Sequence, residues 1–149
     1  MQVLISGQVL SKNHRRIINI MNSFTDFQAK KIFKACKGKC FFCSKKLTFV
    51  HRQKGYRGAW HTDHLVPVSK SGRTEITNGV AACVECNLKK SSSSQAEFIK
   101  AFGGENGIST RVRCHGFRKD GTRCSYYVDD TKRRYCRFHG KPLQFKKWH

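Results

Sequence analysis

The sequence predicts an α+β fold made of two small zinc-held modules, with a β-hairpin and a helix at the centre of the first. Three observations favour this. The apolar fraction is 38%, below the ~45–50% usual in globular domains, so a large hydrophobic core is not expected. Two Cys-x-x-Cys pairs occur before residue 90, and a separate group of cysteines follows residue 108.

Eight cysteines in 149 residues indicate either disulfides or metal sites. The opening run MQVLISGQVL is too short an apolar stretch for a signal peptide. Cysteine is also below the content typical of disulfide scaffolds. We therefore expect metal sites and an intracellular location: a bacterial or phage-infected cytoplasm, or a nucleus.

The formal net charge is +21 at pH 7. Zinc thiolates would lower it only to roughly +18. This excess favours a polyanionic partner, and nucleic acid is the leading candidate because binding releases counterions from its phosphates. No membrane is expected, since the sequence shows neither a transmembrane run nor an amphipathic basic helix with a broad apolar face.

Residues 1–24 are predicted to form a basic N-terminal arm. MQVLISGQVL favours a short strand or one side of a hairpin, and SKNHRR follows it. Two interpretations of SKNHRR stay open. It is either a partly ordered arm or edge strand, or a contact to the DNA backbone through Lys12, Arg15 and Arg16.

Residues 25–102 are predicted to form the core module. SFTDFQAKKIFKACKGKC indicates a helix, with Thr25 or Ser23 as N-cap and Gly38 at its end. LTFVH and WHTDHLVPV are rich in β-formers and predict a hairpin with a long loop. VAACVECNLKKSS is predicted to be partly helical, and SSQAEFIKAFGG is a further helix with Ser94 and Glu97 as its capping box.

GGENG at 103–107 is predicted to be a linker, and residues 108–149 a basic Cys3His zinc module. Its surface has two interpretations: a solvated stability cap, or a DNA-docking module, which the charge density favours. The basic residues concerned are Arg111, Arg113, Arg118, Lys119, Arg123, Lys132, Arg133, Arg134 and Arg137.

The first predicted metal site has four sulfur ligands, Cys40, Cys43, Cys83 and Cys86. Each Cys-x-x-Cys pair places two thiolates about one tight turn apart, which suits a tetrahedral Zn²⁺. A shell closed by four thiolates leaves no open position, so this zinc would be structural. Cys36 does not fit the set and is expected to be a separate thiol.

The second predicted metal site comprises Cys114, Cys124, Cys136 and His139, around a turn at KDGT. His115 is an alternative ligand, but neighbouring residues chelate poorly in a tetrahedron. We therefore expect two structural zinc ions.

The chain has only nine acidic residues, and one of them, Asp63, lies in a strand-like run beside His64. If the first zinc site joins the segments on either side, Asp63 and Asn87 can meet across strand and helix. A carboxylate and an amide oxygen suit Mg²⁺ or Mn²⁺. His64 would then be placed to take a proton from an attacking water, and Asn78 would fix the intervening loop.

Residues 25–90 resemble the HNH, or ββα-metal, endonuclease family, in the version with a four-cysteine zinc. The resemblance lies in DHLVPVSKSGRTEITNGVAACVECNLKK, which contains Asp-His, a following Pro, a Gly-bearing loop, Asn and Cys-x-x-Cys-Asn in order. It implies that His64 is the general base, that Asp63 and Asn87 bind the catalytic metal, and that Asn78 is the supporting asparagine. Departures are Asn87 in place of His, Ser71-Gly72 in place of two glycines, and Gly79 in place of Leu.

The resemblance implies hydrolysis of DNA phosphodiester bonds by one divalent metal ion, giving 5′-phosphate and 3′-hydroxyl ends. It also implies a restriction, homing or phage-type enzyme acting on double-stranded DNA, with a homodimer as one way to cut both strands. The alternative is a non-catalytic zinc-dependent DNA- or RNA-binding protein. His61 could touch metal or phosphate but is more simply structural, and Arg73, Lys89 and Lys90 are expected phosphate contacts.

Overall fold

The structure is a computed structural model that describes residues 4–5, 8–9, 11–128 and 134–140. At the N-terminus, β1 (Leu4–Ile5) pairs antiparallel with β2 (Gln8–Val9), as expected for a short hairpin. α1 (Lys12–Met21) follows. The interpretation of SKNHRR as an edge strand is therefore wrong, because Lys12, Arg15 and Arg16 lie in the first turns of a helix. The basic arm and its contact with the DNA backbone stay predictions.

α1 also corrects a second expectation. Its sequence, KNHRRIINIM, places the basic residues first, and the apolar residues then recur at helical spacing. The chain therefore contains a basic amphipathic helix, and that argument against a membrane surface is lost. Within the part of the chain that the structure describes, no helix has the length and apolar character needed to span a bilayer.

α2 (Asp26–Ala35) begins where the sequence predicted a helix. The Thr25 hydroxyl accepts a hydrogen bond from the Gln28 N–H, and the Gln28 side chain accepts one from the Thr25 N–H. Backbone N–H groups at the start of a helix have no partner within the helix. These two bonds satisfy two of them and therefore fix where α2 begins. Ala29, Ile32 and Ala35 form the buried face.

A two-stranded sheet lies at the centre of the first module. β3 (Trp60–His64) pairs antiparallel with β4 (Gly79–Cys83), with Trp60 opposite Cys83 and His64 opposite Gly79. The predicted hairpin between LTFVH and WHTDHLVPV is therefore wrong. The first of those runs instead closes the base of a loop, because the Thr48 N–H donates to the Gly58 carbonyl and the Trp60 N–H donates to the His51 carbonyl.

Every residue of β4 is buried, so this strand lies inside the core. β3 pairs with it there, and not with the more exposed LTFVH segment. α3 (Val84–Lys90) begins directly after β4, which confirms the partly helical prediction for this segment. α4 (Gln95–Phe102) has the predicted Ser94–Glu97 capping box. The two strands and α3 make a ββα unit, and the fold is α+β.

Residues 108–128 and 134–140 form the second unit around short β-bridges, Arg113 with Tyr127 and Phe117 with Arg123. The predicted KDGT turn is present, with Gly121 at φ +77° and the Thr122 N–H donating to Asp120. Lys132, Arg133 and the predicted tail 141–149 lie outside the described residues.

The segment predicted as a linker contains a 3-10 turn, Glu105–Gly107, that contacts the first unit. Glu105 accepts a bond from Lys89 at 3.0 Å, and the Asn106 amide donates to Glu85 at 3.0 Å. This segment is therefore folded rather than extended. The division of the chain into 1–24, 25–102, 103–107 and 108–149 remains a prediction.

Candidate active site and metal clusters

The structure brings the four sulfurs of the first predicted site together. Cys40 and Cys43 come from the turn after α2, and Cys83 and Cys86 from the β4–α3 junction, with all four Sγ atoms within 4.8 Å of one another. The Cys43 and Cys83 Sγ atoms are 3.7 Å apart. A tetrahedral zinc with Zn–S bonds of about 2.3 Å separates its sulfurs by about 3.8 Å, so the cluster could hold this ion.

The second predicted set also converges. Cys114, Cys124, Cys136 and His139 lie within 4.8 Å of one another, and the His139 Nδ1 is 3.4 Å from Cys114 Sγ and 3.3 Å from Cys136 Sγ. The opposite ring nitrogen, Nε2, is hydrogen-bonded to the Phe117 carbonyl at 2.9 Å. That bond places the proton on Nε2 and leaves Nδ1 free to bind a metal ion.

Two further residues that could in principle bind a metal ion, His115 and Cys36, lie outside these clusters. The His115 Nε2 lies 3.1 Å from the Gln95 side chain, away from the second cluster. Cys36 instead accepts a weak hydrogen bond from the Ala81 N–H, and burial raises the pKa of its thiol.

Asp63 is the buried carboxylate at the centre of the predicted active site, with 9% of its surface exposed. Its Oδ1 accepts a hydrogen bond from the His64 N–H at 2.8 Å. Its Oδ2 faces the Lys90 Nζ at 3.1 Å, without a well-aligned hydrogen bond. Burial raises the pKa of Asp63, and the Lys90 ammonium opposes that rise.

Lys90 is fully buried, so the expectation that it contacts phosphate is wrong. Its Nζ also donates to the His64 carbonyl at 2.8 Å, and it therefore joins α3 to the end of β3. The sequence offered one indication that Lys90 belongs to the site: it follows Asn87 by three residues, and residues at this spacing lie on the same face of a helix. Lys89 contacts Glu105 and Glu85, and Arg73 contacts Glu75.

His64 ends β3 and is half-buried. Its Nε2 lies 3.1 Å from the Thr74 hydroxyl, and its ring packs 4.5 Å from the Phe24 ring, centroid to centroid. Burial, and secondarily the Lys90 charge, lower the pKa of His64. The imidazole is therefore held in one orientation and in its neutral form near pH 7.

Asn78 holds the loop between His64 and β4. Its Oδ1 accepts from the Val66 N–H, and its Nδ2 donates to the Val66 and Arg73 carbonyls, each at 2.9 Å. A side chain that bridges both sides of a loop at three points fixes its shape, as the sequence predicted.

Ser71, which stands in place of a glycine, adopts the left-handed conformation that glycine favours, φ +65°, and nothing in the structure explains the serine. Gly72 keeps the glycine of the pattern, because a Cβ there would lie 1.7 Å from the Val66 carbonyl oxygen. The departure at residue 79 has a structural basis. Gly79 is buried, and a Cβ there would meet the Ile32 side chain at 2.3 Å. A larger residue at 79 would need Ile32 and Phe24 to move.

Asn87 lies on α3, and its Nδ2 is 3.2 Å from the His61 Nδ1. The other ring nitrogen of His61 is bound to the Arg52 carbonyl at 3.0 Å. The structure thus places two side-chain pairs side by side between β3 and α3: His61 with Asn87, and Asp63 with Lys90. The strand members of these pairs, His61 and Asp63, are two residues apart along β3, and the helix members, Asn87 and Lys90, are three residues apart along α3.

Arg123 is a further residue of this region that sequence reasoning did not single out. It is only 5% exposed, and its guanidinium donates to the carbonyls of Ile76, Thr77 and Gly79, which surround Asn78. It also stacks 4.2 Å from the Phe117 ring centroid, and burial lowers its pKa to about 10, so it stays charged at pH 7. Nothing in the sequence distinguishes it from its basic neighbours.

Residues 40–93, which contain the first cysteine cluster, Asp63, His64, Asn78 and Asn87, match the family model of the HNH endonuclease. Over these residues, the chain is similar to HNH endonucleases. The matched region covers the ββα unit and the loop fixed by Asn78, and the second cysteine cluster lies outside it.

Among curated proteins, none matches the chain significantly. Among solved structures, one similar chain is the type II-C Cas9 enzyme from Actinomyces naeslundii, with a TM-score of 0.46 and 18% sequence identity. The similarity covers 65% of this chain and 11% of that one, so this chain spans a small part of the Cas9 protein's length.

Proposed function

We propose that this protein is a divalent-metal-dependent DNA endonuclease that hydrolyses phosphodiester bonds to 5′-phosphate and 3′-hydroxyl ends. The observation that carries the proposal is the position of a buried carboxylate, Asp63, next to His64 at the end of β3. The Asp63 Oδ1 accepts a hydrogen bond from the His64 backbone N–H, and the His64 imidazole is half-buried. Both lie within the matched HNH endonuclease domain.

His64 acts as the general base. Its lowered pKa keeps the ring neutral near pH 7, so that it can take a proton from an attacking water. The contacts to Thr74 and Phe24 orient the ring, and the Asn78 bonds hold the loop that carries Thr74.

Asp63 and Asn87 would hold the catalytic Mg²⁺ or Mn²⁺. The Asp63 Oδ2 fits this role because it is a buried hard-oxygen donor that lacks a well-aligned hydrogen bond. When bound, the ion stabilises the negative charge that builds on the phosphate and on the leaving oxygen. The Lys90 ammonium, 3.1 Å from the Asp63 Oδ2, offsets the repulsion between this carboxylate and an incoming phosphate.

Both cysteine clusters are proposed to hold structural Zn²⁺, which replaces part of the missing apolar core. Each offers four soft or borderline ligands and no open position, as structural zinc sites do. The net charge of +21 supports DNA as the polyanionic partner inside the cell.

We further propose double-stranded DNA as substrate, with sequence-specific cutting of the restriction, homing or phage type. One chain carries one such site. Cutting both strands therefore needs a homodimer or two successive nicks.

A non-catalytic zinc-dependent DNA- or RNA-binding protein is the second candidate, and one observation favours it. Lys90 already supplies a cation to Asp63 at 3.1 Å. Because Lys90 can offset the charge of the carboxylate, Asp63 does not need a metal ion in order to be buried at this position.

A nicking assay separates the two candidates. Supercoiled plasmid is incubated with the wild-type protein and with His64→Ala, each with Mg²⁺ or Mn²⁺ and each without added divalent metal. We expect metal-dependent nicked or linear DNA that disappears with His64→Ala, while DNA affinity is retained. Equal cleavage by His64→Ala would refute the assigned base, and binding without cleavage on several DNAs would favour the second candidate.

A further inference from the structure

The second unit carries an exposed groove that lies outside the HNH site and borders the second cysteine cluster at Cys136. Its lining includes Tyr126, Tyr127, Tyr135, Phe138, Arg111 and Arg137, and its volume is about 520 Å³. We call this the aromatic groove. Its volume lies within the ~300–1,000 Å³ typical of sites that bind small planar groups.

The aromatic side chains of this groove face solvent. Tyr126 is 52% exposed and Phe138 is 61% exposed, although apolar rings are favoured in the interior. The two rings lie 5.1 Å apart, centroid to centroid, at an interplanar angle of 47°, and are therefore tilted rather than stacked on each other. Ring surface is left available to a further planar group.

Arginines lie beside these rings. The Arg137 guanidinium carbon is 4.8 Å from the Phe138 ring centroid, and that of Arg111 is 5.0 Å from the Tyr127 centroid. No acidic residue is among the described residues that line the groove. Stacking surfaces next to cations match the bases and phosphates of a nucleic-acid strand.

We propose that the aromatic groove binds an unpaired nucleobase of DNA together with its flanking phosphates. In a duplex, both faces of a base are covered by its neighbours, so these rings can stack only on a base that has left the helix or lies in a single strand. The inference adds a site to the proposed nuclease and rests on that function only in taking DNA as the nucleic acid. A binding measurement on the inactive His64→Ala protein keeps the two separable.

The test is fluorescence polarisation with a labelled oligothymidine and with a duplex of equal length, using full-length His64→Ala protein without added divalent metal. Tyr126→Ala and Phe138→Ala should each weaken single-strand binding by about 5- to 100-fold, the range expected for loss of one base–aromatic stack. Duplex affinity, which depends on phosphate contacts, should change by less than about twofold.

Phe27→Ala is the matched control. Phe27 is 66% exposed and also lies beneath a cation, with the Lys31 Nζ 4.6 Å from its ring centroid, but it lies on α2. Phe138→Trp should retain or strengthen single-strand binding, because it keeps a stacking face. Since Phe138 adjoins His139, zinc content is measured for each variant, and Tyr126→Ala provides a second, more distant change.

Three results would overturn the proposal. They are unchanged single-strand affinity in correctly folded Tyr126→Ala and Phe138→Ala, equal losses on single strand and duplex, or an equal loss with Phe27→Ala. Tighter binding of an RNA strand of equivalent sequence through the same two rings would overturn the assignment to DNA.

Discussion

The Arg123 guanidinium donates a hydrogen bond to the Thr77 carbonyl at 3.0 Å, between residues 46 positions apart in the chain. The same group reaches the carbonyls of Ile76 and Gly79, so it holds the backbone on both sides of Asn78. The second unit therefore contacts the loop that shapes the proposed active site. We infer that Arg123 is a positioning residue for that loop.

Arg123→Met should lower the turnover number more than it raises KM, because it leaves substrate contacts intact and loosens the loop around Asn78. The buried Gly79 carbonyl loses this donor, which should cost about 1–3 kcal/mol of folding free energy, and the part-buried Ile76 and Thr77 carbonyls lose it at a smaller cost because water can reach them. Steady-state kinetics on a defined duplex and urea unfolding measure the two effects. Arg123→Lys, which keeps the charge and some donors, should recover part of the activity.

Arg57→Met provides the control for this substitution, since Arg57 is exposed on the 48–59 loop. It should change neither turnover nor stability appreciably. If Arg123→Met behaves like Arg57→Met in both measurements, the second unit does not support the loop.

Asn78→Asp should be at least as damaging as Asn78→Ala, although it is the smaller change in shape. The carboxylate could still accept from the Val66 N–H, but it would face the Val66 and Arg73 carbonyls where the amide donates. A loop displaced by about 1 Å can cost about 100-fold in rate. Single-turnover cleavage measures this, with Ser69→Ala, an exposed residue of the same loop, as control. Near wild-type cleavage by Asn78→Asp would exclude the assigned supporting role.

Lys90→Met should destabilise the protein strongly, because it leaves the buried Asp63 carboxylate without its cation. Removing one partner of a buried ion pair typically costs about 3–5 kcal/mol. Adding Asp63→Asn to Lys90→Met should restore part of the loss, since the uncompensated charge is then gone. Urea unfolding of the single and double variants tests this.

Lys89→Met is the matched control for Lys90→Met, because Lys89 is a neighbouring lysine whose ion pairs, with Glu85 and Glu105, lie at the surface. Its Nζ also lies 5.3 Å from the Phe102 ring centroid. Its loss of stability should be much smaller. Similar losses of unfolding free energy in the two lysine variants would mean that the buried Lys90–Asp63 ion pair contributes no more to stability than a surface ion pair.

Zinc analysis should find two ions per chain, one for each cluster. Cys83→Ser should reduce this to one and unfold the first unit, since structural zinc sites contribute folding free energy directly. Cys124→Ser should remove the other ion and also lower activity, because it adjoins Arg123. Cys36→Ser should retain both ions, and a loss of zinc in that variant would place Cys36 in a cluster. For each variant, mass spectrometry measures the number of zinc ions bound, and circular dichroism measures whether the protein is folded.

Local features were predictable from the sequence. Thr25 with Gln28, and Ser94 with Glu97, start helices through contacts three residues apart, so short-range pattern is sufficient. The cysteine clusters were predictable because tetrahedral metal binding restricts ligand type and spacing. Strand pairing was not, because LTFVH and VAAC are both plausible strands, and only burial in the assembled core selects β4 as the partner of β3.

The sequence by itself determined the α+β class, the eight residues that converge in the two clusters, and the resemblance to HNH endonucleases. The tertiary structure decided what surrounds those residues: that Lys90 neutralises Asp63, that Asn87 contacts His61, and that Arg123 holds the loop around Asn78. The physical reason is distance along the chain. Ligand motifs and helix caps are set by neighbouring residues, whereas a buried cation finds its partner only after segments remote in sequence have packed together.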